Sequence, residues 1–231
     1  MPRGSRSLGV GVTRLVRIPS SAWVCLLGLA ANIINADVAL PTAASQSAKR
    51  PGPAAAVVCE GCHGASGEGA PAAKIPRLAG QSADYLDKQL RDFASGARLS
   101  EVMQNFAKPL SEADRAAVAA YFASLTTPYI APTPRATDSQ LARGHRLAHQ
   151  GSEAERVQAC DSCHGPDGGG VPPSAPYLAG QSADYLAAEL QSWREGKRKN
   201  DAGKLMSSVA QRLDDADVAA VSAYFASVGA P

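Results

Sequence analysis

A Cys-x-x-Cys-His string occurs twice in this chain of 231 residues, as Cys59-Glu60-Gly61-Cys62-His63 and as Cys160-Asp161-Ser162-Cys163-His164. On one turn of helix this spacing brings two thiols and an imidazole to the same edge and face of a planar macrocycle. Thiols so placed add across the two vinyl groups of a porphyrin, and the imidazole becomes the proximal ligand of its iron. Zinc would need distant partners for each cysteine pair, and the histidine following directly suits haem better. The motifs therefore predict two covalently bound c-type haems, one at Cys59, Cys62 and His63 and one at Cys160, Cys163 and His164.

An iron held by histidine needs a sixth ligand, or an open position if it is to do chemistry. Beyond the initiator, the chain has two methionines, Met103 and Met206, lying seven residues before Leu110 and Leu213. A lone methionine is ordinarily a core filler, but two in one register beside two haem motifs point to axial ligation. Thioether ligation favours ferrous iron and raises the potential, which means electron transfer rather than oxygen activation.

Pro76 and Pro176 follow the proximal histidines by 13 and 12 residues. A ligating imidazole gives its second N–H to an acceptor, and a carbonyl here could be that acceptor, with Leu78 and Leu178 over the haem face. A simple turn proline fits the spacing equally well. His145 and His149 stand four residues apart on an expected helix, where they could bind a metal or compete for the second haem. With no carboxylate motif beside them they read as partly exposed and inert. The cluster Arg194-Glu195-Gly196-Lys197-Arg198-Lys199 is either a solvated loop or a cationic patch that steers an acidic partner.

The elements that must hold these residues also come in duplicate. Pro76-Arg77-Leu78-Ala79-Gly80-Gln81-Ser82-Ala83-Asp84-Tyr85-Leu86 returns 100 residues later with Tyr177 in place of Arg77, and Tyr121-Phe122-Ala123-Ser124 returns 103 residues later. Ser82 and Ser182 are N-cap candidates for helices 83–95 and 183–195, closed by Gly96 and Gly196. Ser111 and Asp214 open a last helix whose inner face carries Val118, Tyr121, Phe122 and Leu125, or Val218, Val221, Phe225 and Val228. No run alternates as a strand would, so the class is all-α. Lys49-Arg50-Pro51-Gly52-Pro53 breaks any long helix before Cys59. The second copy, in contrast, has a candidate entry helix at 138–149, with Gly144 able to permit close contact. Four Phe and two Trp are few for two independent cores, and haem fills that deficit.

The expected organisation is a secretion signal at 1–44, a first domain at 48–127, a proline-rich linker at 128–136 and a second domain at 137–231. Four arginines precede the short apolar run Ala22–Ala31, which is too short to span a bilayer and reads as an export signal, with retention as an N-terminal anchor the alternative. Residues 1–44 hold four of the 23 Lys/Arg and one of the 21 Asp/Glu, leaving 19 against 20, a formal −1. Nothing in that balance points to nucleic acid. The same cut removes Cys25 and leaves four cysteines, all within the haem motifs.

With Cys-x-x-Cys-His-Gly, Pro-x-Leu-Ala-Gly-Gln…Tyr-Leu, Gly-x-Arg, one methionine and Ala-Tyr-Phe-Ala-Ser in each copy, residues 55–231 resemble the dihaem cytochrome c4 family. The resemblance implies two tandem cytochrome c domains about a pseudo-twofold axis, with His63 and Met103 on one iron and His164 and Met206 on the other. It implies a one-electron carrier, without catalytic residues of its own, in the bacterial periplasm, where members are often loosely membrane-associated. Its partners would be redox proteins: a respiratory donor and a terminal oxidase. The rival readings are the cytochrome subunit of a dehydrogenase complex and a small dihaem peroxidase or thiosulfate-oxidising enzyme.

Overall fold

The computed structural model describes residues 53–126 and 136–229. The expected signal at 1–44 and all but Ala136 of the expected linker lie outside those residues. The described residues form helices, single 3₁₀ turns and three isolated bridges, with no longer strand among them. The first lobe consists of α1 (Ala54–His63), α2 (Ala83–Ser95), α3 (Glu101–Ala107) and α4 (Glu112–Ala123). The second consists of α5 (Asp138–His149), α6 (Asp161–His164), α7 (Ala183–Arg194), α8 (Leu205–Ala210) and α9 (Asp215–Ser227).

Local chemistry sets the helix ends. The hydroxyls of Ser82 and Ser182 accept from the Tyr85 and Tyr185 amides, capping α2 and α7. Ser111 and Asp114 form a reciprocal capping box at α4, and the Asp214 carboxylate accepts from the Asp217 amide at α9. Such caps satisfy N–H groups that have no acceptor within the helix, each contributing about 1 kcal/mol. Helix α7 stops at Arg194, one residue before the expected end, with Glu195 as its C-cap.

In the first lobe Val118, Tyr121 and Phe122 of α4 pack on Leu86 of α2 and Ala56 of α1. In the second, Val218, Val221 and Phe225 of α9 pack on Leu147 and Ala148 of α5, with Val157 and Leu213. Burying an aromatic or aliphatic side chain of this size contributes about 1.5–3 kcal/mol. Helices α5 and α9 cross at Gly144, where a Cβ would lie 2.2 Å from the Ala220 carbonyl oxygen. Only a residue without a side chain lets the two backbones meet so closely.

The lobes differ at their entry. Pro53 is the N-cap of α1, which begins at the next residue; a proline at a helix start has no N–H to waste. Helix α1 then carries the first cysteine pair and His63 on one continuous piece. In the second lobe the motif sits on the separate single turn α6, beyond the loop bridged by Ser152 and Val157.

Candidate haem centres

Each proximal histidine ends a short helix, is 7% exposed, and is aimed by one hydrogen bond. His63 Nδ1 lies 2.9 Å from the Pro76 carbonyl oxygen, and His164 Nδ1 lies 3.0 Å from that of Pro176. A carbonyl can only accept, so Nδ1 carries the proton and the lone pair is left on Nε2, the atom that would meet iron. Burial pushes both imidazoles below their usual range, with the carbonyl bond only partly opposing it, so both are neutral at pH 7. The proline loops are held to the motifs by their backbone. The Leu78 and Ala79 amides donate to the Gly67 carbonyl, and those of Leu178 and Ala179 to that of Gly168. Gly67 and Gly168 both have left-handed backbones, and a Cβ at Gly168 would strike the Phe225 ring at 2.7 Å.

A cavity of about 800 Å³ runs through both lobes, and His63, Met103, His164 and Met206 all line it, along with both cysteine pairs. Met103 sits in the first turn of α3, where the Ser100 hydroxyl accepts from its amide at 3.2 Å. Met206 sits in α8, anchored instead by Asp201, whose carboxylate accepts from the Ser207 amide at 2.9 Å and its hydroxyl at 3.0 Å. The three extra residues of the second copy are absorbed in the 3₁₀ turn Ala202–Lys204 just before α8. Burial pushes the Cys160 thiol up to about 12 and raises Cys59 as well. Both are therefore protonated at neutral pH, the form in which S and H together add across a vinyl group. Trp193 lines the same cavity, and its buried indole N–H has no acceptor among the described residues; a haem propionate is the kind of acceptor it lacks. The apolar walls, the two aimed imidazoles, the two methionines on the cavity wall and this unpaired donor all fit a haem in each lobe.

The two cavity halves meet at an interface that the sequence alone did not disclose. Gln81 donates to the Tyr177 carbonyl at 3.1 Å and accepts from its amide at 3.1 Å, while Gln181 does the same to Arg77 at 2.9 Å and 2.9 Å. These two pairs obey a pseudo-twofold relation. Beyond them lie two buried guanidinium groups, Arg98 at 6% and Arg198 at 5% exposure. Glu189 accepts from Arg98 at 2.7 Å and from Arg198 at 2.6 Å. Tyr185 and Tyr85 accept from the same pair at 2.9 Å and 3.2 Å. Gln89 stands where the symmetry would place a second carboxylate and accepts from Arg98 at 3.0 Å and from Arg198 at 3.2 Å. The available signal was the exact recurrence of Gln and Tyr in both repeats, at positions no haem ligand requires.

The remaining sequence candidates fall elsewhere. Most of the basic cluster is engaged within the protein. Arg198 is buried with its guanidinium 4.0 Å from the Trp193 ring centre, Arg194 holds the Leu213 carbonyl at 3.1 Å, and Lys197 pairs with Glu195 at 2.6 Å. His145 and His149 lie outside the cavity and pack against each other with ring centres 4.3 Å apart and planes tilted by 48°. His149 is not inert: its Nδ1 meets Asp161 at 2.7 Å and its Nε2 meets the Tyr224 hydroxyl at 2.6 Å.

A cytochrome c family model matches residues 51–126 and 142–229. The chain is 47% identical over 175 residues to a thiosulfate dehydrogenase electron acceptor of Stutzerimonas stutzeri, covering 76% of this chain and 81% of that one. Among solved structures it resembles reduced cytochrome c4 from Pseudomonas stutzeri, with a TM-score of 0.68 and 34% identity over 77% of this chain and all of that one. It also resembles a thiosulfate dehydrogenase from Marichromatium purpuratum, with a TM-score of 0.69 and 42% identity, covering 74% of this chain and 36% of that one.

Proposed function

Because this chain belongs to the dihaem cytochrome c4 family of electron carriers with two covalently bound haems, we propose that it is exported to the periplasm, accepts electrons from a thiosulfate-oxidising dehydrogenase, and passes them towards a terminal oxidase. His63 and Met103 hold one iron in this reading, and His164 and Met206 the other. The haems supply one-electron chemistry at iron when bound. The protein's part is to keep each imidazole neutral and oriented through Pro76 or Pro176, to line the cavity with apolar groups, and to lock the lobes together through Gln81, Gln181 and the arginine cluster. A rigid, water-poor pocket with two fixed axial ligands changes little between oxidation states, which favours fast transfer over catalysis.

The observation that carries the donor is the likeness to a relative named as an electron acceptor of thiosulfate dehydrogenase, at 47% identity across most of both chains. It moves the dehydrogenase from the rival place that the motifs gave it to the front. The test mixes the oxidised dihaem protein with a purified thiosulfate dehydrogenase and thiosulfate, following the reduced-haem absorption band by stopped flow. Reduction at a rate that saturates with dehydrogenase and needs thiosulfate supports the proposal. Reduction no faster than thiosulfate achieves alone, with rapid reduction by a quinol-oxidising membrane fraction, would place the donor upstream in respiration instead.

A further inference from the structure

The two lobes treat the residue after the first motif cysteine differently. In the first lobe Glu60 accepts directly from the Tyr121 hydroxyl at 2.8 Å. The equivalent pair in the second lobe is Asp161 and Tyr224, and there the imidazole of His149 is inserted between them, 2.7 Å from Asp161 Oδ2 and 2.6 Å from Tyr224 Oη. His149 ends α5, a helix with no counterpart among the described residues of the first lobe. We propose that His149 and Asp161 form a redox-linked proton site for the second haem, taking up one proton when that haem is reduced and releasing it on oxidation.

Asp161 lies between Cys160 and Cys163, inside the segment bonded to the haem, so the imidazole is one hydrogen bond from that attachment. The carboxylate can only accept, which places a proton on Nδ1 and leaves Nε2 to accept from Tyr224 in the neutral state. When the donor protein delivers one electron, Fe(III) becomes Fe(II) and the local charge falls by one. A proton from water then adds to Nε2, and the imidazolium is balanced by Asp161. Tyr224 must turn its O–H away, and the nearby Asp167 carboxylate is there to accept it. Asp167 Oδ1 also lies 3.6 Å from Nε2 and adds a second negative charge. The groups facing His149 are thus His145 on its own helix, Asp161 on α6, Asp167 on the turn beyond it, and Tyr224 on α9. The ring faces two carboxylates, 2.7 and 3.6 Å away, and one other imidazole. The His149 side chain is 26% exposed and that of Asp167 65%, giving protons a route from solvent. Imidazole is the side chain chemically suited to gaining and losing a proton in this role. The inference needs the haem at Cys160 and Cys163 but not the identity of the electron donor.

The experiment is a spectroelectrochemical titration of the haem-loaded protein against an electrode between pH 5 and pH 8, which needs no dehydrogenase. One midpoint potential falls with rising pH by at least a threefold change in its reduction equilibrium, about 28 mV at 59 mV per tenfold, while the other stays within half of that. In His149→Gln, with both haems counted, the slope disappears, because the amide keeps the hydrogen bonds but cannot take up a proton. If that variant fails to load haem, NMR titration of the wild-type histidines in the all-ferric and all-ferrous states decides the matter. A His149 midpoint that moves at least threefold in proton affinity between the states supports the site. Flat potentials, a slope that survives His149→Gln in loaded protein, or identical His149 titrations in both states overturn it.

Discussion

Removing the carboxylate of Glu189 tests the interface most sharply. Among the described residues it is the one acid between two guanidinium groups that are 6% and 5% exposed, and its bonds to them are 2.7 and 2.6 Å. Its pseudo-symmetric counterpart, Gln89, supplies an acceptor but no charge. Glu189→Ala therefore leaves two buried cations without a counter-charge between them, a change of about 3–5 kcal/mol. Glu189→Gln retains one acceptor oxygen and loses the charge-assisted part, about 1.5–3 kcal/mol. At roughly 2–4 °C per kcal/mol for a chain of this size, the alanine variant melts about 6–20 °C lower. Burial alone would raise the Glu189 carboxyl, but Arg98 and Arg198 outweigh it and hold it below the usual range. A group depressed in the folded state stabilises above its unfolded value of about 4.3 and loses that contribution as pH falls through its folded value. The gap between wild type and Glu189→Gln is accordingly full at pH 6–7 and closes in acid below about pH 4. Denaturant unfolding followed by far-ultraviolet circular dichroism at pH 7, 5 and 3.5 measures it. A gap under about 1 kcal/mol at pH 7, or one that does not change with pH, refutes the reasoning.

Other consequences are equally open to measurement. Gly144→Ala drives a methyl into the Ala220 carbonyl and destabilises the second lobe by about 1–3 kcal/mol or more, seen as a lower unfolding midpoint with the first haem's spectrum unchanged. Phe122→Ala empties the middle of the first core and costs about 3–5 kcal/mol, read in the same way. Gln81→Ala removes two hydrogen bonds between the lobes, each contributing about 0.5–1.5 kcal/mol, and shows as faster amide exchange at Tyr177 while both haems remain bound.

The helices and the haem motifs were legible because their determinants are local. Caps lie within three residues of the amides they satisfy, and Cys-x-x-Cys-His is complete in five residues. Gly144 was legible because a glycine inside a helical pattern asks for a close neighbour. What the sequence hid is long-range. Arg198 sits in a run of charges and reads as solvated, yet its partners Glu189 and Trp193 lie on the preceding helix and Tyr85 and Gln89 on the other lobe. Docking across the pseudo-twofold axis brings those groups together, and no periodicity within one repeat records it. His149 was misjudged for the same reason, since its partners are 12 and 75 residues away. The proline run before Cys59 reads as a break, yet Pro53 at its end is a start, since α1 begins immediately beyond it.

The central claim, two haems each held by histidine and methionine, is tested most directly by near-infrared magnetic circular dichroism of the oxidised protein with haem counted on the same sample. The account predicts two haems per chain, both with the methionine-to-ferric-iron charge-transfer band. Met103→Ala and Met206→Ala each abolish half of that intensity. A single such band, with the other haem high-spin or bound by two histidines, would contradict it.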